Sequence, residues 1–175
     1  IAGALLIFAA GAGVMWVLRP AEQAKRVHAS LSVHPADELN AGGSSLTWNP
    51  TPGGSRTALA WTPDGQALIF VGRRNGVQQL YMRPLDGEAR PLPGTEGARV
   101  PAVSHDGQWV AFWSMGAIRK VRIGEDSVTV LAPGIAAPPA GMAWDESGRL
   151  LFGRESRGIW QILPGSEPAA VTTVG

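Results

Sequence analysis

The sequence predicts an all-β protein, a partial β-propeller of three four-stranded blades preceded by one transmembrane α-helix. The first observation behind this is a repeat. An apolar strand, a tight turn and a second apolar strand recur as Leu59–Phe70, Pro101–Phe112 and Met142–Phe152. Their turn glycines, Gly65, Gly107 and Gly148, stand 42 and 41 residues apart, and a step of about 40 to 45 residues is the length of one four-stranded propeller blade. The second is composition: 23 Gly and 14 Pro among 175 residues supply the many tight turns that a chain of short strands requires. The third is an uncharged apolar run at the start of the chain.

That run, Ile1 to Leu18, contains no charged residue. As a helix it would rise about 27 Å, close to the hydrocarbon thickness of a bilayer. Trp16 suits the headgroup interface, and Arg19-Pro20 ends the helix. A membrane anchor at 1–18 is therefore expected. Two other readings of the run exist. A signal-peptide core would be shorter, at roughly 7 to 15 residues, and the small residues Ala9 to Gly13 that could form its cleavage site lie inside the run. A buried soluble helix would show a polar face, and none is present. Because Ile1 opens mid-way through this apolar stretch, the chain reads as an excerpt from a longer protein.

Residues 19–56 are expected to form a juxtamembrane spacer. Within it Val27, Ala29, Leu31 and Val33 alternate with His28, Ser30, Ser32 and His34, the period-2 pattern of a half-buried strand. The segment 27–33 is thus a candidate ring-closing strand. The stretch 40–56 is rich in Gly, Ser, Thr and Pro and reads as a loop. Three blades follow over 57–175, at about 57–98, 99–138 and 139–175. In the first, strands are expected at Ala58–Thr62, Gln66–Gly72, Val77–Leu85 and Ala89–Leu92. Arg73-Arg74-Asn75-Gly76 is read as its middle turn, because Asn-Gly accepts the positive φ of a tight hairpin.

The residues singled out are mechanical. Asp64 and Asp106 can accept hydrogen bonds from nearby amides, while Gly65 and Gly107 take turn conformations that side chains resist. At Glu146-Ser147-Gly148 only Gly148 is kept. Trp61, Val103 and Trp144 are assigned to blade packing, together with Ile69, Val110 and Leu151 beyond their turns. Three copies are fewer than the roughly four to eight blades of a closed propeller, which predicts exposed edges.

At Trp61-Thr62-Pro63-Asp64-Gly65 the chain resembles the WD40-like repeat of the TolB type; Ser104-His105-Asp106-Gly107 departs from that pattern at the proline and Asp145-Glu146-Ser147-Gly148 at two positions. The longer run from Gln79 to Asp86, with Pro91 to Ala98 after it, resembles more specifically the propellers that follow the membrane helix of bacterial serine/threonine protein kinases. This resemblance implies a kinase domain upstream of Ile1 and a propeller on the extracytoplasmic, periplasmic side of a single-pass membrane protein. By contrast, Arg19, Lys25 and Arg26 follow the positive-inside tendency of a cytoplasmic flank.

The 175 residues themselves carry no kinase catalytic loop, no Asp-Phe-Gly and no phosphate-binding glycine loop, so no catalysis is expected of them. A net charge of +1 provides no field for nucleic acid. Zero cysteines exclude disulfides and thiolate sites. His28, His34 and His105 have no partner at metal-ligand spacing, and no cofactor is expected. The partners expected are the membrane, through 1–18, and a protein or small-molecule ligand on the propeller face. The alternatives are a TolB-like envelope scaffold and the gating propeller of a prolyl-oligopeptidase-like hydrolase.

Overall fold

A computed structural model describes residues 30, 32–39, 58–154 and 157–172. The expected membrane helix at 1–18 lies outside these residues, as does most of the spacer; among the described residues no helix is long and apolar enough to cross a membrane. All the described strands lie in one compact unit, Ser32–Gly175.

The strands are β1 Glu38–Leu39, β2 Leu59–Trp61, β3 Ala67–Arg74, β4 Val77–Pro84, β5 Arg90–Pro91, β6 Arg99–Val103, β7 Trp109–Ser114, β8 Ala117–Arg122, β9 Val128–Ala132, β10 Met142–Trp144, β11 Leu150–Arg154, β12 Gly158–Ile162 and β13 Ala169–Ala170. They form three antiparallel sheets: β1 to β5 in blade 1, β6 to β9 in blade 2 and β10 to β13 in blade 3. Each sheet is a meander, since every strand pairs with its successor across a short turn. The exception is β1, which pairs with β3 as Glu38↔Arg73 and Leu39↔Gly72. It lies end to end with β2, whose register is Leu59↔Phe70 to Trp61↔Leu68. The inner strand of blade 1 is thus made of two pieces separated by 40–58 in the chain. Of the ring-closing segment expected at 27–33, the described residues Ser30, Ser32 and Val33 form no strand; the rest is outside the described residues.

Two details of register differ from the sequence reading. Arg73 and Arg74 continue β3 instead of turning, leaving Asn75-Gly76 as a two-residue turn with φ of 50° and 80°. Trp61 lies beside Leu68 and Trp144 beside Leu150, not on the faces of Ile69 and Leu151. A slip of one residue along a strand moves a side chain to the other face. Val103 and Val110 are direct cross-strand partners.

The core sits between blades. At the first seam Ile69, Val71 and Leu80 of blade 1 meet Val110, Phe112 and Val121 of blade 2. At the second, Ala102, Ala111 and Ile118 of blade 2 meet Leu150, Phe152 and Ile162 of blade 3. Blade 2 is covered on both faces, so Val110, Ala111 and Phe112 are all fully buried in succession, as in any sheet enclosed on two sides. Blade 3 is covered on one face only, so Leu150 and Phe152 are buried while Leu151 between them is not. Blade 1 has one blade beside it, yet Ile69, Phe70 and Val71 are buried in succession, because Ala36 and Ala89 pack with Phe70 and Tyr81 on its other face.

Candidate interaction surface

The turns that join the first and second strands of each blade lie on one rim, and all three are built alike. Gly65, Gly107 and Gly148 take φ of 67°, 70° and 78°, and each donates its amide to the carbonyl three residues back, at Thr62, Ser104 and Asp145. In blade 1 the Thr62 hydroxyl donates to Asp64 Oδ1 at 2.6 Å and accepts the Ala67 amide at 2.9 Å. Asp64 Oδ1 also accepts the Gln66 amide. Blade 2 repeats this with Ser104, Asp106, Gln108 and Trp109.

Blade 3 reaches the same result with the groups exchanged. Asp145 stands where blades 1 and 2 carry the hydroxyl, and Ser147 stands where they carry the carboxylate. Asp145 Oδ1 accepts from the Ser147 hydroxyl and amide and from the Arg149 amide, and Oδ2 pairs with Arg149 Nε at 2.7 Å. The motif as read in the sequence misses Asp145 because it places the acid beside the glycine. The available signal is the hydroxyl-acid pair two residues apart, read in either order.

These contacts set the charge of the rim. The Thr62 hydroxyl, then the Gln66 amide, hold the Asp64 carboxyl below its ordinary range; Ser104 and Gln108 do the same for Asp106. The Ser147 hydroxyl, with the Arg149 amide and guanidinium, lowers Asp145 to about 2. All three are ionised at neutral pH and bound into their own turns, so none is a proton donor.

Two clefts open where rim turns meet at the seams. Between blades 1 and 2, a cleft of about 740 Å³ brings Asp64 and Asp106 together with Asp86, His105 and Met82. Between blades 2 and 3, one of about 440 Å³ is lined by Lys120, Trp144, Leu150, Pro164 and Glu167. The first has an acidic lip and the second a mixed one. Among the described residues no group of three or more His, Asp or Glu is placed to hold a metal.

The packing residues divide. Val103 packs at the first seam. Trp144 packs at the second, and its Nε1 donates to the Ala102 carbonyl at 3.1 Å. Trp61 is 50% exposed; among the described residues no blade precedes blade 1 to cover it.

The sequence matches no protein-family model and no curated protein sequence. Its fold is similar to solved propeller structures. These include a putative TolB from Agrobacterium tumefaciens, with a TM-score of 0.58 and 20% identity, covering 67% of this chain and 46% of that one. TolB from Acinetobacter baumannii gives 0.57 and 18%, over 68% of this chain and 32% of that one. A gluconolactonase from Xanthomonas campestris gives 0.53 and 16%, over 63% and 44%. The chain spans less than half the length of each. The repeats therefore have the fold of TolB-type propeller blades.

Proposed function

We propose that this chain is a non-catalytic binding module, in which propeller blades present the rim clefts at their seams to a protein or small-molecule ligand. One observation carries this reading: Asp64 and Asp106, on the lip of one cleft, are each held ionised by their own turn, an arrangement that offers fixed negative charge for recognition. Fixed charge beside apolar lining such as Met82 suits a ligand with a cationic group and an apolar body.

In this reading residues 1–18 anchor the module in a membrane, the blades face the extracytoplasmic side, and the parent is a bacterial serine/threonine protein kinase whose catalytic domain precedes Ile1. The resemblance of Gln79 to Asp86 and Pro91 to Ala98 to kinase-associated propellers supports it. The test is the reading frame. A His-Arg-Asp catalytic loop and Asp-Phe-Gly upstream of Ile1 are expected; a start methionine followed by a few basic residues would overturn the kinase assignment.

The similarity to two TolB structures favours a second reading, an envelope scaffold that binds other proteins through the propeller faces. The short upstream sequence just described would select it. A gating propeller of a hydrolase is selected instead by an α/β domain with a serine elbow in the same reading frame.

A further inference from the structure

The blades have a second rim, opposite the one that carries Gly65, Gly107 and Gly148, where the second strand of each blade turns into the third. The chain enters the described unit on this rim: the Asp37 amide donates to the Arg73 carbonyl, and Asp37 Oδ2 accepts the Asn75 amide. In blade 1 the turn is Asn75-Gly76, with φ of 50° and 80°; in blade 2 it is Met115-Gly116, with φ of 50° and 75°. Asn visits the left-handed region readily, whereas a long apolar side chain rarely does. Met115 also breaks a second rule. It is 75% exposed, more than any other large apolar side chain described, the next being Trp61 at 50%.

No missing blade explains this exposure. Blade 2 has a neighbour on each face, and a rim turn lies at the end of a blade, where no further blade stacks. The linker alongside extends the apolar surface: the Ile135 amide donates to the Gly116 carbonyl, and Ala136 and Ala137 are exposed. Charge then separates the two rims. The turns of the first carry Asp64, Asp86, Asp106, Glu125, Asp126 and Asp145, whereas this one carries Arg74, Arg99, Arg154 and Arg157. Against these stand Glu96, together with Asp37 and Glu38, which are already bound to the Asn75 amide and to Arg73; Glu155, between Arg154 and Arg157 in the chain, lies outside the described residues. A backbone outlier that is also an exposed apolar tip points to function, and guanidinium groups around such a tip suit a surface of anionic headgroups over hydrocarbon.

We propose that this rim rests on an anionic lipid surface, with Met115 inserted at the boundary of the acyl chains and Arg74, Arg99, Arg154 and Arg157 at the level of the phosphates. The acidic rim then faces away, since its carboxylates are repelled by the same lipid. The contact stands on the rim alone. The anchor proposed above adds a tether, because the chain enters on this rim and only the thirteen residues 19–31 separate Ser32 from the apolar run 1–18.

The whole chain contains no cysteine, so Met115→Cys and Ser127→Cys each give one site for an environment-sensitive fluorophore, the first on this rim and the second on the acidic one. With vesicles of phosphatidylcholine and phosphatidylglycerol, the label at position 115 is expected to shift to the blue and the label at position 127 to remain in water. Introducing Arg154→Glu and Arg157→Glu together, or raising the salt to about 0.5 M, is expected to reduce the shift by about twofold or more. A label on Ala136→Cys is expected to shift as well, and to stop shifting when Met115→Asn gives blade 2 the turn of blade 1. A wet label at position 115 on these vesicles overturns the proposal. So does an equal shift at 115 and 127, or a shift that appears without lipid as the protein is concentrated, which would place a second copy on the rim. Flotation with phosphatidylcholine alone reads the anchor separately: a chain that floats there but keeps position 115 wet on anionic vesicles has the anchor and not the rim contact, and one that does not float there but shifts on anionic vesicles has the rim contact and not the anchor.

Discussion

The indole Nε1 of Trp144 donates to the main-chain carbonyl of Ala102, 42 residues earlier, and so ties blade 3 to blade 2 at the inner end of their seam. The same ring packs on the apolar cluster that holds Leu150, Phe152 and Ile118. One side chain thus contributes a directional bond and apolar area to one interface.

These two contributions are separable. Trp144→Phe keeps most of the packing and removes the donor, and is expected to cost about 1 kcal/mol. Trp144→Ala also opens a cavity at the seam and is expected to cost about 3 kcal/mol. Urea unfolding of both variants checks the order; equal losses would mean that the ring contributes nothing beyond its N–H.

Gly72 is a glycine for steric reasons. A Cβ there would stand 2.8 Å from the Ala36 Cβ and 2.8 Å from Tyr81 Cδ2, so Gly72→Ala is expected to destabilise by about 1 to 3 kcal/mol through overpacking. Removing one of the opposing atoms with Ala36→Gly should restore part of that loss. Thermal melts of the single and double variants decide it, and strict additivity would remove Ala36 from the contact.

Gly65 is a glycine for conformational reasons. Its φ is 67°, and nothing lies within 4 Å of the place a Cβ would take, so the cost of Gly65→Val is backbone strain of about 1 to 3 kcal/mol and not collision. Asn visits this region more readily than other side chains, and Gly65→Asn should therefore retain most of the stability. Equal losses in Val and Asn, measured by denaturant unfolding, would contradict this.

Asp145 predicts a dependence on acid. Its folded pKa of about 2 lies below the ordinary 3.8, so the stabilisation it brings is complete above about pH 4 and disappears as pH falls toward 2. Asp145→Asn should flatten the stability profile in that window. Unfolding curves from pH 5 to pH 2 for the two proteins provide the comparison, and parallel slopes would deny the turn any role in acid stability.

For the anchor expected at 1–18, Leu6→Arg places a charge near the middle of the apolar run and is expected to weaken insertion by about 2.5 to 3.5 kcal/mol. Partition between membrane and soluble fractions measures it. Unchanged partition of the variant would defeat the anchor.

Much of the blade pattern was legible because a tight turn demands particular residues. Glycine at Gly65, Gly107 and Gly148 marks positive φ, and Asn75-Gly76 marks the next hairpin, so the meander could be read from punctuation alone. The candidate surface was legible in part. Asp64 and Asp106 stood out, whereas Asp145 did not, because the exchanged order of Asp145 and Ser147 preserves the hydrogen bonds and breaks the motif. Nor could the sequence show that Asp64 and Asp106, 42 residues apart, line one cleft with Asp86.

By itself the sequence determined the elements and their period: local hydrogen bonds and backbone strain act over a few residues, and those residues are adjacent in the chain. Only the tertiary structure decided which faces of those strands are covered. Trp61 and Trp144 occupy the same position in the repeat, yet one is half exposed and the other bonded across a seam. Likewise β1 completes the inner strand of blade 1 although 40–58 separate it from β2. Burial depends on what stands opposite a face, and the residues opposite are supplied by a different part of the chain.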